Sequence, residues 1–292
     1  MIERTLYQHL QACIELEPFL ASHSGRMAIF NQEAPDDMDS GWDETQYGRL
    51  VFAVDMTDDP ERKVSGVLQV DYMCEADKDD PNEVEPIIRP LMDGYFFKST
   101  EGTIAAQWRS SSYFTTTTEK VIGVTLTYDL LAFPNQTTIE PDPIALLNKW
   151  TSESLEGVAV IGYDELPDVW RPTEKSVAIY WRLGNIQKAN WIPDTYNCSW
   201  QTATIEGHIM APDENTSILI ARWVSSVLTV KKRLIFDDNA PLMVDRNIRV
   251  NPTLDMLRTG QITLEGTYGI LTPPPDWNPL KHLSVNGREV TQ

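Results

Sequence analysis

The side chains that could do chemistry are spread along this chain rather than gathered. His9, His23, His208 and His282 contain no pair at i, i+4 and no HExxH, so a zinc site has no scaffold. Asp77, Asp79 and Asp80 begin like a calcium loop, but Pro81 stands where the next ligand belongs and the loop glycine is missing. Ser110, Ser111 and Ser112 form a run without the GxSxG turn that would raise a serine as a nucleophile. Neither GxGxxG nor GxxxxGK[ST] occurs, so nucleotide phosphate has no cradle. Cys13, Cys74 and Cys198 are odd in number and far apart, with no CxxC, and read as buried reduced thiols. These patterns predict no catalytic residue, no cofactor and no metal.

Two other residue classes are concentrated. Glu33, Asp36, Asp37, Asp39, Asp43 and Glu44 crowd one polar stretch, and the whole chain carries a net charge of −19 from 43 acidic and 24 basic residues. Such a surface repels nucleic acid. It serves either solubility alone or a passage through which a polyanion slides without sticking. With few apolar residues to bury, the acidic loop Gln32–Glu44 is expected to be mobile, unable to order itself, and to lie at a surface facing a channel or a partner. Trp170, Trp181, Trp191, Trp200 and Trp223 all lie in the second half. Aromatics of this kind fill cores, line protein interfaces or, less often, stack on sugars. In Tyr180-Trp181-Arg182, strand alternation must turn either Tyr180 or Trp181 away from the local core. That makes the pair candidate interface aromatics.

The elements that position these groups are organised around one strand. In Val121–Pro134, Ile122, Val124, Leu126, Tyr128 and Leu130 alternate with Gly123, Thr125, Thr127 and Asp129, the period of a half-buried strand. The pattern returns at Gln261–Pro273, where Ile262 lies 140 positions after Ile122 and Tyr268 lies 140 after Tyr128. An earlier strand also repeats, with Ile205 and Ile209 each 137 positions after Leu68 and Tyr72. Before each anchor strand the chain reads helix, long loop, strand, strand, helix, strand. In the first copy these are a helix at Arg4–Glu17, a loop at Ala21–Tyr47, strands at Arg49–Met56 and Val64–Cys74, a short helix bent by Pro86 and Pro90, and a strand at Thr103–Phe114. In the second they are a helix at Ile144–Leu155, a loop at Gly157–Lys175, strands at Ser176–Leu183 and Ser199–Met210, a helix at Thr216–Lys232 capped by Asn215, and a strand at Leu242–Val250.

The expected fold is therefore α+β: two tandem modules, each a mostly antiparallel sheet flanked by two helices. They span 1–134 and 143–272, joined by a linker at 135–142 and followed by a tail at 273–292. An apolar content of 41% supports packed cores, and no run of about 18 apolar residues suggests a membrane span. The first residues are too polar for a signal peptide, so synthesis in the cytoplasm is expected and the three NxS/T sequons read as chance.

The first module resembles the tail-terminator or tail-completion (minor tail) proteins of long-tailed bacteriophages. The resemblance lies in SGVLQVDYMCE, in PNEVEPIIRPLMDGYFF and in the closing VIGVTLTYDLLAFP, and the second module follows more loosely through TATIEGHIM and TGQITLEGTYGI. Members are usually about half as long, so this chain resembles a tandem duplication. The resemblance implies a structural protein of the virion tail, made in the host cytoplasm. It would form a homo-oligomeric ring that caps the tail tube and joins it to the head. Its partners would be itself, the tube protein and the head–tail connector or neck proteins, with genomic DNA only a passing, repelled polyanion. Six copies are favoured over three, with the more acidic first module nearer the channel. The alternatives are another tail ring (neck, collar or baseplate), a non-catalytic two-module binding or regulatory protein, and an enzyme with an unrecognised acid/base pair. The size of the particle in solution separates them.

Overall fold

The computed structural model describes residues 2–43, 45–57, 65–100, 102–116, 120–135, 140–195, 197–244, 247–271, 283–285 and 288–290. The first module runs α1 (Ile2–Gln11), β1 (Ile29–Asn31), β2 (Arg49–Met56), β3 (Gly66–Glu75), α2 (Pro81–Met92), β4 (Phe96–Lys98), β5 (Gly102–Thr115) and β6 (Val121–Pro134). The second runs α3 (Pro143–Ser154), β7 (Val158–Val160), β8 (Val169–Trp170), β9 (Val177–Lys188), β10 (Cys198–Met210), α4 (Glu214–Lys231), β11 (Arg233–Ile235), β12 (Pro241–Val244), β13 (Arg249–Val250) and β14 (Ile262–Leu271). A short hairpin forms at Ser22–Met27, and in the tail Leu283–Val285 pairs antiparallel with Arg288–Val290. The fold is α+β, with two curled seven-stranded sheets.

Both modules have one strand order. The first sheet reads β1-β2-β3-β6-β5-β4 and the second β7-β9-β10-β14-β12-β11. In each, the first pair is parallel and the other pairs are antiparallel. The two sequence offsets do not both survive, however. Leu68 faces Tyr128 and Ile205 faces Leu264, while Tyr268 faces Gln201. If Leu68 matches Ile205, Tyr128 therefore matches Leu264 and not Tyr268. The slip is four residues, an even number, so it keeps every side chain on its face and is invisible to a period-two pattern.

Each sheet buries its helix-facing side. Leu6 and Leu10 of α1 and Val84, Ile88 and Met92 of α2 pack on Leu68, Val70, Tyr72, Val124, Leu126 and Tyr128. Leu147 and Trp150 of α3 and Ala221, Val224 and Leu228 of α4 cover Ile179, Trp181, Ile205 and Leu264. In α2, Asp80 accepts from the Asn82 N–H and Pro81 occupies the first turn. Pro86 and Pro90 both lie on its exposed side, and so do Asn82 and Pro86, whose carbonyls they leave without an i+4 donor. Water can satisfy those groups, so the helix continues to Met92.

Several boundaries differ from the sequence reading. The first helix stops at Gln11, and a 3-10 turn at Ile14–Phe19 holds Pro18. The long loop 21–47 contains a hairpin and β1, and the loop 157–175 contains β7 and β8. These strands are two or three residues long, too short for alternation to show. Asp213, not Asn215, caps α4, accepting from Thr216 N at 2.9 Å. Thr267, which alternates with Tyr268 and so turns to the other face of β14, is buried against Thr202, with their hydroxyls 3.0 Å apart.

One half-buried group makes this packing sensitive to pH. His9 donates from Nε2 to the Leu91 carbonyl at 2.8 Å and lies against the rings of Tyr95 and Phe97. Desolvation lowers its pKa below the ordinary 6.5, outweighing the opposing backbone bond. The unfolded chain then binds the proton more readily. Its contribution to stability is full above pH 6.5 and is lost as pH falls toward the folded value. Urea midpoints measured between about pH 7 and 5.5 should fall, and the His9→Gln variant should show a shallower fall.

Candidate assembly surfaces

The side chains flagged for chemistry stay apart. Asp80 caps α2, Asp77 lies 3.9 Å from Lys120, and the Asp79 carbonyl accepts from Cys74. Among the described residues no cluster of three or more His, Cys, Asp or Glu could hold a metal ion. Ser111 donates to Glu85 at 2.9 Å and accepts from the Trp108 indole. His208 donates from Nδ1 to the Met256 carbonyl at 2.8 Å, while His282 lies outside the described residues. Cys13, Cys74 and Cys198 are unpaired thiols, and burial pushes Cys74 up to about 11.

The two candidate interface aromatics require a correction. Neither is available to an external partner: Tyr180 is 2% and Trp181 1% exposed. Trp181 points into the second core, where its indole N–H donates to Thr151 at 2.8 Å. Gly207 makes room for it, because a Cβ there would come within 2.5 Å of the ring. Tyr180 does point away from its own core, but into a third core between the two modules.

That third core is built by alternation on five strands. Phe96, Ala105, Leu131 and Phe133 turn away from the first helix layer, and Ala178, Tyr180 and Met210 turn away from the second. Phe133 sits 5.2 Å from Tyr180 and 5.8 Å from Phe96, ring centre to ring centre. The Tyr180 hydroxyl donates to the Pro134 carbonyl at 2.9 Å. Strand β8, from the second module's chain, pairs with β4 and extends the first sheet. Beside this core, Asp129 accepts from Arg109 at 3.1 Å and from Arg258 of the second module at 3.0 Å. Arg258 also bonds Gln107 and Asp255. Sequence reading missed this latch, since Asp129 and Arg258 are 129 residues apart.

The acidic loop is a surface feature, but most of its carboxylates have local work. Asp37 pairs with Arg49 at 2.6 Å. Asp36 accepts from Met38 N, and the Asp36 carbonyl accepts from the Trp42 indole. Asp39 accepts from Gly41 N at 2.7 Å and lies 3.3 Å from His23, and those two contacts lower its pKa in that order. Asp43 accepts from Ser22, and Glu33 is exposed. Glu44 lies outside the described residues. Trp42, His23 and Phe30 pack edge to face beneath the loop. The loop is thereby held in shape with Met38 at its crest, 91% exposed.

Strand edges are the other open surface. β4 covers β5 only from Thr103 to Ala105, and β7 covers β9 only from Val177 to Ile179. Although Ala106 still exchanges backbone hydrogen bonds with Gly94 and Tyr95 and the Trp108 N–H donates to Asp93, among the described residues no strand lies beside the remainder of β5 and β9 on that side. Their outer parts carry Arg109, Ser110, Ser112 and Tyr113 on one and Gly184–Lys188 on the other, all exposed. Unpaired edges of this length are templates for another chain. Compared with protein families, curated proteins and solved structures, the chain matches none of them significantly.

Proposed function

We propose that the chain is a structural ring protein of a phage tail or tail-like particle, capping the tail tube and joining it to the head or neck through protein contacts. The observation that supports this most is a pair of modules with one strand order, locked together by a core of their own, each leaving a long strand edge open. Closed cyclic symmetry satisfies such edges without making open fibres. Rigid modules with complementary surfaces, rather than a reactive cleft, are what a ring needs. The strongly acidic balance suits a channel through which DNA passes, because carboxylates repel phosphates at short range. The ring contains six chains in this reading, with the more acidic first module nearer the channel. It sits in the virion tail after synthesis in the host cytoplasm, between the tube protein and the connector or neck proteins.

Native mass spectrometry with averaged particle images tests this. A closed six-chain ring is expected. A three-chain ring with both modules lining the lumen would refute the arrangement. A chain that stays monomeric at every concentration and ignores tail tubes would refute the function.

A further inference from the structure

Helix α4 is apolar on both sides. Ser217, Ala221, Val224 and Leu228 face the core, and on the opposite side Leu219, Trp223 and Val230 are 67%, 42% and 81% exposed. An amphipathic surface helix keeps its outer side polar, and one apolar all round is normally covered. Around this bare stripe stand Arg222, Lys231, Lys232 and Arg233, all exposed. Among the described residues none of these four has a carboxylate partner. Four uncompensated cations framing an apolar stripe are unusual in so acidic a chain.

The chain carries the complement of this surface elsewhere. Met38 stands 91% exposed at the crest of the acidic loop, framed by Glu33, Asp36 and Asp39. The loop is preorganised by its pairs with Arg49, Gly41 and Trp42, so presenting Met38 costs little ordering. The charge is also polarised along the sequence: residues 1–134 hold 24 acidic and 10 basic side chains, and the rest hold 19 and 14. Like-to-like contact of first modules would set strong negative charge against itself. First module against second opposes a smaller negative charge, and at the basic end of α4 it meets cations.

We infer that the acidic loop of one copy docks on the outer face of α4 of the next, with Met38 on the Leu219–Trp223–Val230 stripe and the loop carboxylates against Arg222 and the Lys231–Arg233 cluster. The contact joins two different patches, so it is heterologous and propagates head to tail until the rotation closes. It rests on the ring reading and assigns the loop to the boundary between neighbours rather than to the channel wall.

The test is charge reversal and exchange in the full chain, read by native mass spectrometry and sedimentation. Arg222→Glu with Lys231→Glu should weaken association at least about tenfold, as should Glu33→Lys with Asp36→Lys, and mixing the two reversed proteins should restore it. Leu219→Glu, a change at one exposed site, should give the same loss in a variant whose circular dichroism matches the parent. If the parent forms a closed ring that all these variants also form, the docking is wrong and the ring reading stands. If both reversals weaken assembly but mixing restores nothing, the two patches do not meet and the docking is again wrong. A parent that never associates overturns both.

Discussion

Replacing Phe133 with Ala should lower stability by about 3–5 kcal/mol, the range for deleting a fully buried aromatic ring. Phe133 is 0% exposed and touches both modules, with Phe96 on one side and Tyr180 and His208 on the other. The cavity cannot collapse easily, because its walls are strands fixed by two separate ladders. The loss should also change how the chain unfolds. In the parent the modules share one core and should melt together. In the variant, far-ultraviolet dichroism and tryptophan fluorescence should separate into two urea transitions, because the coupling between modules is what the ring supplied. A loss under about 1 kcal/mol with a single transition would show that the third core is not what joins the modules.

Asp129→Ala should cost about 1–3 kcal/mol, and a double-mutant cycle should locate most of it on one partner. The Asp129 side chain is 14% exposed, Arg258 31% and Arg109 50%. Exposed pairs contribute little, since water screens them and two long side chains must be ordered. Coupling to Arg109 should therefore stay below about 0.5 kcal/mol. Coupling to Arg258 should be larger, because its guanidinium is held from three sides, by Asp129, Gln107 and Asp255. The reverse ranking would mean that Asp129 stabilises its own hairpin and not the junction between modules.

Much of this architecture could be read from residue order alone. Period-two alternation marked the long strands Arg49–Met56, Gly66–Glu75, Val121–Pro134, Cys198–Met210 and Ile262–Leu271, because each lies between a helix layer and a more polar side and must sort its residues accordingly. Helical spacing marked α2 and α3 for similar local reasons, although Pro143, outside the helix expected at Ile144–Leu155, proves to open α3. The repeated element order, and with it two modules, followed from those local signals. The surface position of the acidic loop was legible too, while of the three cysteines read as buried only Cys74 is; Cys13 and Cys198 are half-buried.

What depended on distant partners was not. Alternation said that Tyr180 and Trp181 face opposite ways, but not that a second sheet waits behind Tyr180. Strands of two or three residues, such as β1, β7 and β8, hold too few side chains to display a period and exist because a neighbouring edge offers hydrogen bonds. The register of Tyr268 slipped by four residues because sliding by an even number costs no change of face, and only the packed ladder chooses among such slides. Arg258 meets Asp129 across 129 residues, a distance over which no local pattern carries information. Local sterics and hydrophobic periodicity determined the elements and their inward faces; the tertiary structure alone decided which outward faces meet within the chain and which, like the outer side of α4, remain bare.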